Sequence, residues 1–466
     1  MLFNSYIFLY AFLPVVLVVY HIIRNNEKKL LWLTIASYYF YSFWNVKLAF
    51  LILFSTVIDY AAGVHISKSS DQRVKKKWLI ASIITNLGLL GYFKYCNFFL
   101  ETINAALSAI GFSAPLPHFN IILPVGISFY TFQSMSYTID LYRGRAEPVK
   151  NFIHFACYIS MFPQLIAGPI VRFRDIAAQL QERTIGAEKI KRGAVFFIIG
   201  LGKKVLIADT VAIIANAWWG IEGIGVLAAW GALFAYSLQI YFDFSGYSDM
   251  ACGLGYFLGF DFPQNFNSPY KAHSITDFWR RWHMSLSGWL RDFLYVSLGG
   301  NRKGYLRTYV NLFITMFLGG LWHGASWTFI AWGCYHGFLL AIERLWKDRG
   351  YRIFIPLVFQ TMITYVLVLL GWVLFRSTSF SEAIVMYRAL FGVNGMGVIA
   401  QLSCPVPPFV YVFLYIMMWI TFTQKNIWEI RFHYSIKFAL ALNGILVLAV
   451  FVILVNFHSP FLYFQF

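Results

Sequence analysis

Two histidines stand out in this chain because imidazole can accept and donate a proton near neutral pH. His283 lies in the run FWRRWHMSLSGWLRD, and His323 lies in GGLWHGASW between two long apolar stretches. An ionisable side chain at membrane depth is costly, so it is a functional-site candidate by default. The pair indicates a membrane-embedded enzyme that uses acid–base chemistry.

His323 is the stronger candidate of the two. Gly320 and Gly324 flank it, and glycine lets another chain or a ligand approach closely. The alternative is a hydrogen-bonded histidine that packs helices together. Local features favour a catalytic role for His323, in a turn region, whereas His336 lies in a more regular helical stretch and is interpreted as a packing residue.

The segment around His283 is predicted to be one uninterrupted helix. Ser274 followed by Asp277 resembles a capping box at its start. Asp277 can pair with Arg280 or Arg281 one turn later, which would hold His283 inward. The interleaved tryptophans and arginines are also typical of a helix that lies at the membrane–water interface. Both interpretations of His283, catalytic residue and interfacial anchor, stay open.

The composition indicates which kind of secondary structure positions the two histidines. The chain is 59% hydrophobic and 20% aromatic but only 12% charged. A water-soluble protein of 466 residues with this composition would expose far more apolar surface than is normal. Because apolar windows recur along the whole chain, we predict an all-α polytopic membrane protein with roughly eleven or twelve transmembrane helices.

The formal net charge of +17 would favour nucleic-acid binding if it lay on a polar surface. The basic residues instead cluster in short loops between apolar stretches, which is the pattern of cytoplasmic loops. The clusters are Arg24 with Lys28 and Lys29, Arg73 with Lys75, Lys76 and Lys77, Arg344 with Lys347, Arg349 and Arg352, and Arg431 with His433 and Lys437. This topology places both termini outside the cytoplasm, and we predict no nucleic-acid partner.

The cysteines argue against disulfides and metal sites. They show no CxxC pairing and mostly lie in apolar runs, at Cys96, Cys157, Cys252, Cys334 and Cys404. We interpret them as packed thiols, and we expect neither a metal site nor a permanently bound cofactor.

The middle of the chain, from about 120 to 345, has shorter apolar stretches that polar residues repeatedly interrupt. YFDFSGYSDMACGLG, for example, places Asp243 and Asp249 among aromatic residues and glycines. Polar or broken backbone at membrane depth is tolerated only where it is buried in protein or lines a wet cavity. We therefore predict a single membrane domain over 1–466. In its core, from about 120 to 345, re-entrant or interfacial helices should surround a central funnel.

These motifs carry a family resemblance. LPVGISFY, GPIVRFRD, YFDFSGYSDMA, ITDFWRRWHMSLSGWLRD, LGGNRKG and GGLWHGASW, with GYFKYCNFF and FLYFQF nearer the ends, cover about half of the chain. The chain resembles the membrane-bound O-acyltransferase (MBOAT) family, in particular its alginate O-acetyltransferase-like branch. The resemblance implies that His323 is the essential histidine of the family and His283 its second characteristic polar position.

The resemblance also implies an acyl thioester donor, acetyl-CoA, that reaches the site from the cytosol. His323 would remove a hydroxyl proton as a general base. Protonated His283, or a backbone N–H at a Gly319–Gly320 bend, would stabilise the oxyanion. Arg280 and Arg281 are expected phosphate contacts for the donor, with membrane anchoring as the alternative. We expect His283 near the cytoplasmic side of the chamber, where its helix helps to hold the donor.

The C-terminal hexapeptide FLYFQF, residues 461–466, is unusual because free tails are normally polar. It follows the last span and is predicted to emerge on the outer side. From its composition alone it is an interfacial aromatic anchor. Related acyl-export systems end in a similar Phe-x-Tyr-x-x-Phe tail, and this resemblance implies that Tyr463 accepts the acyl group while Phe461 and Phe466 seat the tail.

Three classes of function compete. The first is O-acetylation of an exported polysaccharide such as alginate, or alternatively of peptidoglycan or another glycan. The second is a secondary transporter with Asp243, Asp249 and His323 along its path, which predicts an inverted repeat that the sequence does not display. The third is a structural subunit of a glycan export complex, which would need no acyl donor.

The resemblance implies a cellular setting as well. We expect a multi-pass protein of the bacterial inner (cytoplasmic) membrane, surrounded by lipid. It would meet the exported polysaccharide only indirectly, through a separately encoded periplasmic acetyltransferase of the SGNH-hydrolase type.

Overall fold

A computed structural model of the chain describes residues 1–112, 115–350, 355–395, 406–455 and 461–462. These residues form helices joined by loops and turns, and no strand occurs among them. The all-α class predicted from the sequence is confirmed.

The first compact unit comprises residues 1–197 and 250–263. Asn25, Asn45 and Asp71 each accept a backbone N–H bond at the start of a helix, so α2, α3 and α4 begin at capping residues. The α-helices of this unit are α1 (Leu13–Ile22), α2 (Asn26–Ser42), α3 (Val46–Lys68), α4 (Gln72–Leu90), α5 (Cys96–Ala109), α6 (Ile127–Tyr142), α7 (Phe152–Ser160), α8 (Phe162–Leu165), α9 (Phe173–Gln181) and most of α10 (Ala187–Gly202).

The second unit comprises residues 198–249 and 264–466, as far as they are described. The end of α10 continues into a π-helical turn, Lys203–Ala208. The further α-helices are α11 (Asp209–Trp218), α12 (Val226–Phe257), α13 (Ile275–Arg281), α14 (Met284–Trp289), α15 (Tyr305–His323), α16 (Trp327–Asp348), α17 (Leu357–Arg376), α18 (Phe380–Leu390), α19 (Pro408–Thr423) and α20 (Ile436–Val455). Two boundaries between the units fall inside α10 and α12, and the third lies between Pro263 and Gln264 in a loop. One membrane domain over 1–466 stays a prediction.

By length and composition, four helical segments of the described chain can cross a membrane. They are Val46–Lys68, Gln72–Ala109, Leu357–Arg376 and Ile436–Val455, and two shorter apolar helices are Phe8–Ile22 and Pro408–Thr423. The other described helices are shorter or more polar. The chain is therefore a membrane protein with several apolar helices, while eleven or twelve spans stay a prediction.

The first unit contains a carboxylate, Asp59, that is fully buried in the span α3. Its oxygens accept hydrogen bonds from Ser82 Oγ at 2.6 Å, from Asn86 Nδ2 at 2.8 Å and from Ser134 Oγ. Buried charges in an apolar interior require partners of this kind. The bonds tie α3 to α4 and α6, so polar groups act as interhelical contacts in an otherwise apolar bundle.

The four cysteines that the structure describes are free thiols. Cys157 and Cys252 are buried, while Cys96 and Cys334 are half-buried, which agrees with the interpretation as packed thiols. Cys404 lies outside the described residues.

In the second unit, α15 and α16 form a tightly packed antiparallel hairpin. Gly320 of α15 faces Gly333 of α16, and a Cβ atom built on Gly320 would lie 2.9 Å from the Cα of Gly333 and closer still to the carbonyl oxygen of Phe329. Only a residue without a side chain permits this approach. The hairpin is important for the site because His323 is the last residue of α15.

Replacing Gly320 with alanine should therefore separate the two helices and destabilise the protein. We expect Gly320→Ala to lower the free energy of unfolding by about 1–3 kcal/mol, the usual cost of overpacking. Thermal unfolding in detergent measures the effect. Gly444→Ala is the matched control, because a Cβ there meets nothing within 4 Å, so its stability should stay equal or rise slightly. Equal stability of the two variants would contradict the packing argument.

Candidate active site

The two candidate histidines lie next to each other in the second unit. The ring centroids of His283 and His323 are 6.5 Å apart, with an angle of 62° between the planes. Both side chains are buried, with exposed fractions of 0% and 5%. The structure therefore brings together two residues that the sequence could only single out one by one.

The chain reaches His283 through a break in the predicted helix. The expectation of one continuous helix from Ser274 onward is wrong: α13 ends at Arg281, and α14 begins at Met284. His283 lies between them in the left-handed region, with φ 44° and ψ 54°. This conformation is rare for residues other than glycine and costs on the order of 1 kcal/mol. The break turns the imidazole toward His323 instead of leaving it on the surface of a helix.

Asn265, which the sequence analysis did not identify, holds this break in place. Its side-chain oxygen lies 3.2 Å from Nδ1 of His283 and accepts bonds from Ser285 N at 3.2 Å and Ser285 Oγ at 2.9 Å. Its backbone oxygen accepts the Met284 N–H at 2.9 Å, and its side-chain amide donates to Ser248 Oγ at 3.1 Å. With the amide oxygen against Nδ1, neutral His283 carries its proton on Nδ1 and presents Nε2 as an acceptor.

Aromatic rings surround His323. Trp322, Trp332 and Phe375 have ring centroids 5.0, 5.1 and 5.2 Å from the imidazole. Trp332 and Phe375 belong to α16 and α17, so three helices build the walls. An apolar wall of this kind keeps water out and strengthens electrostatic interactions inside the site.

The glycines beside His323 serve the packing of helices, which corrects part of the prediction. Gly319 and Gly320 lie inside α15, so no bend occurs there, and their N–H groups are used by the helix. Gly324, just after α15, packs against the ring of Phe329. The backbone of Gly319 and Gly320 is therefore not available as an oxyanion donor, because a helical N–H is already bonded to the carbonyl four residues earlier.

The start of α13 follows the sequence-based prediction closely. The hydroxyl of Ser274 accepts the Asp277 N–H at 3.2 Å, and Asp277 forms an ion pair with Arg281 at 2.9 Å. Arg280 is exposed instead. Of the two arginines expected to contact the donor, Arg280 projects into the surroundings, and Arg281 is already engaged within its own helix.

The described part of the C-terminal tail lies one aromatic ring away from His283. Phe461 is 2% exposed and packs against Tyr247 and Phe244, with ring centroids at 4.7 and 5.9 Å. Phe244 in turn meets the imidazole of His283 edge-on at 4.7 Å. Tyr463 and Phe466 lie outside the described residues. Phe461, two positions before Tyr463, is thus the tail residue that lies near the site.

The aspartates that a transporter path would use are internally paired. Asp249 lies 2.6 Å from Nζ of Lys203, and Asp243 lies 2.8 Å from Nζ of Lys204. Asp243 also accepts the backbone N–H of Leu462 at 2.8 Å. These contacts give the two carboxylates a role in holding α12 and the tail.

The amino-acid sequence of the chain is similar to those of several known proteins. Residues 30–380, which include both histidines, match the sequence model of the membrane-bound O-acyltransferase family. A probable alginate O-acetylase of Pseudomonas aeruginosa is 48% identical over 395 residues, which is 84% of this chain and 75% of that protein. A peptidoglycan O-acetyltransferase of Helicobacter pylori is 38% identical over 435 residues, covering 85% of this chain and 81% of that protein. A teichoic acid D-alanyltransferase of Bacillus subtilis is 28% identical over 297 residues, covering 58% and 73%.

If Asn265 positions His283, its removal should lower acyl transfer while the protein stays folded. We expect Asn265→Ala to reduce the rate about tenfold, because one or two positioning hydrogen bonds are lost. The rate is measured on the purified protein in proteoliposomes, with thermal unfolding as the test of folding. Asn267→Ala is the control from the same loop, since the side chain of Asn267 bonds to Asn426 instead of the histidine. A full rate in Asn265→Ala would contradict the assignment.

Proposed function

Because this chain belongs to the membrane-bound O-acyltransferase family, we propose that it moves an acetyl group from cytosolic acetyl-CoA across the membrane for O-acetylation of an exported polysaccharide such as alginate. The observation that carries the proposal is that His283 lies next to His323 and that Phe244 links His283 to Phe461 of the C-terminal tail. The strong similarity to an alginate O-acetylase supports the polysaccharide as the final acceptor.

His323 acts as the general base in this proposal. It takes the proton of an attacking hydroxyl while that oxygen forms a bond to the thioester carbonyl carbon. When the carbon–sulfur bond breaks, the imidazolium of His323 returns the proton to the leaving thiolate, so the base is regenerated. Its aromatic walls keep water from competing as the nucleophile.

His283 assists as an electrostatic partner. Nδ1 is held against the side-chain oxygen of Asn265, so a second proton would reside on Nε2. In that state His283 donates toward an oxyanion, whereas its neutral form accepts a hydrogen bond. Because His283 lies beside His323, it would contact the reacting carbonyl of the donor. His283 would also help to hold the donor there.

The C-terminal tail serves as the acyl carrier. The phenol of Tyr463 attacks the thioester, and the resulting aryl ester is reactive enough to pass the acetyl group onward. The docking of Phe461 beside Phe244, itself in contact with His283, supports this role. A periplasmic acetyltransferase of the SGNH type would then transfer the acetyl group to the polysaccharide, and free CoA would return to the cytosol.

The donor is expected to approach from the cytoplasmic side. Arg280, exposed at the end of α13, is the better candidate for a phosphate contact, because Arg281 is already paired with Asp277. The protein would lie in the bacterial inner membrane with its basic loops in the cytoplasm. It needs no metal ion for this chemistry.

Peptidoglycan is the alternative acceptor. The similarity to a peptidoglycan O-acetyltransferase makes peptidoglycan the second candidate after alginate. If a carrier tail separates the thioester site from the glycan, the partner protein and not this chain selects the acceptor. Acetyl transfer to alginate or to peptidoglycan by cells that express the chain with each partner distinguishes these two possibilities.

The two histidines should differ in their effect on the rate. We expect His323→Ala to lose at least about a hundredfold, as is usual when a general base is removed, and His283→Ala to lose less. Acetyl-CoA turnover by purified protein measures both. His433→Ala, in an exposed loop position, is the control and should turn over normally. Near-normal turnover by His323→Ala would contradict the role of His323 as the general base.

The carrier role of the tail is tested by Tyr463→Phe. This change keeps the aromatic ring and its anchoring but removes the nucleophile, so we expect polysaccharide acetylation to be lost. Mass spectrometry of the C-terminal peptide should find acetyl on the wild-type tail and none on the variant. Tyr434→Phe, in an exposed loop position, is the control. Wild-type acetylation by Tyr463→Phe would leave the tail as an anchor only.

A further inference from the structure

The tail is held at its main chain as well as by Phe461. The backbone N–H of Leu462 donates to a side-chain oxygen of Asp243 at 2.8 Å. Asp243 is only 1% exposed. A charge-assisted hydrogen bond to a buried carboxylate is stronger than an ordinary one, so this contact is a specific attachment point one residue ahead of Tyr463.

Lys204 keeps the carboxylate of Asp243 in place. Its ammonium lies 2.8 Å from one oxygen of Asp243 and 2.7 Å from Asp209. One ammonium is thus shared by two carboxylates, and the other oxygen of Asp243 is directed at the tail. A buried carboxylate that loses a donor is destabilised, so the bond to the Leu462 N–H stabilises Asp243 as well as the tail.

The backbone around Gly246 explains how this arrangement is built. A Cβ on Gly246 would lie 2.7 Å from the carbonyl oxygen of Gly200, so α12 and α10 cross here in close contact. Lys203 and Lys204 begin the π-helical turn that follows α10, and π-helical turns are frequent at functional sites. The crossing presents Asp243 on one side of Gly246 and Asp249 on the other, each with its own lysine.

We propose that Asp243, held by Lys204, is a positioning residue that sets the register of the C-terminal tail through the main-chain N–H of Leu462. Phe461 and Leu462 are two consecutive attachment points, and in this proposal they set the register from which the residue after them reacts. The inference rests on the proposed carrier function of the tail. It adds that Asp243 binds the backbone of the tail and not a side chain. The chain segment before Phe461 then does not determine the register.

Proline at position 462 removes the hydrogen bond, because proline has no N–H, and it leaves the side chains of Asp243 and Lys204 unchanged. In the full chain in proteoliposomes with acetyl-CoA, Leu462→Pro should acetylate its tail at least about tenfold more slowly than Leu462→Ala, which keeps the N–H. The loss should appear in the maximal rate of tail acetylation, with the half-saturating concentration of acetyl-CoA unchanged, since the proposal assigns this bond to the tail and not to the donor. Equal rates for the two variants would overturn the proposal.

Single-residue insertions test the register directly. A glycine between Leu462 and Tyr463 shifts the phenol away from the attachment point and should abolish acetylation of the tail. A glycine between Pro460 and Phe461 leaves both attachment points next to the phenol, and most of the acetylation should persist. If the two insertions have the same effect, Asp243 does not set the register.

Asp243→Asn provides an independent variant of the carboxylate itself. It keeps an acceptor oxygen of the same size but removes the charge, so the rate of tail acetylation should fall between those of wild type and Leu462→Pro. Thermal unfolding separates this loss from misfolding. If Tyr463→Phe is inactive while Leu462→Pro and Asp243→Asn match wild type, the carrier function stands and the register proposal fails. If Tyr463→Phe is active, both fail.

Discussion

The buried charges of this chain must be paired, and that constraint organises the second unit. An isolated ammonium or carboxylate in an apolar interior is prohibitively costly. Lys203 therefore pairs with Asp249, and Lys204 pairs with both Asp243 and Asp209. Both lysines lie at the close crossing of α10 and α12 beside Gly246. By fixing the rotation of α12, they place Phe244 against His283 and leave one oxygen of Asp243 for the tail.

The two candidate histidines lie at the ends of helices, where side chains can leave the helical register. His323 ends α15, and the glycine contact with α16 determines how deep that end lies in the unit. His283 sits in the break between α13 and α14, which Asn265 stabilises. Apolar helices thus hold the two imidazoles next to each other at a steep angle, with ring centroids 6.5 Å apart.

The site could be predicted only in part. Residue type and rarity were enough to select His283 and His323, since few side chains in an apolar chain can move protons. Asn265 carried no such signal, because an asparagine in a loop is usually a turn residue. The continuous helix after Ser274 was wrong because hydrogen bonds from a distant loop stabilise the left-handed backbone of His283. The expected bend at Gly320 was wrong because glycine there serves a helix crossing.

The amino-acid sequence by itself determined the helical class, the membrane setting and the family, because each depends on composition, periodicity or a local string of residues. It also determined the capped start of α13 with its ion pair between Asp277 and Arg281, which needs only neighbours one turn apart. The tertiary structure alone decided that His283 meets His323, that Lys204 pairs with Asp243, and that the tail ends its described path at that carboxylate. These contacts join residues far apart in the chain, and their partners are selected by the cost of leaving a buried polar group unpaired.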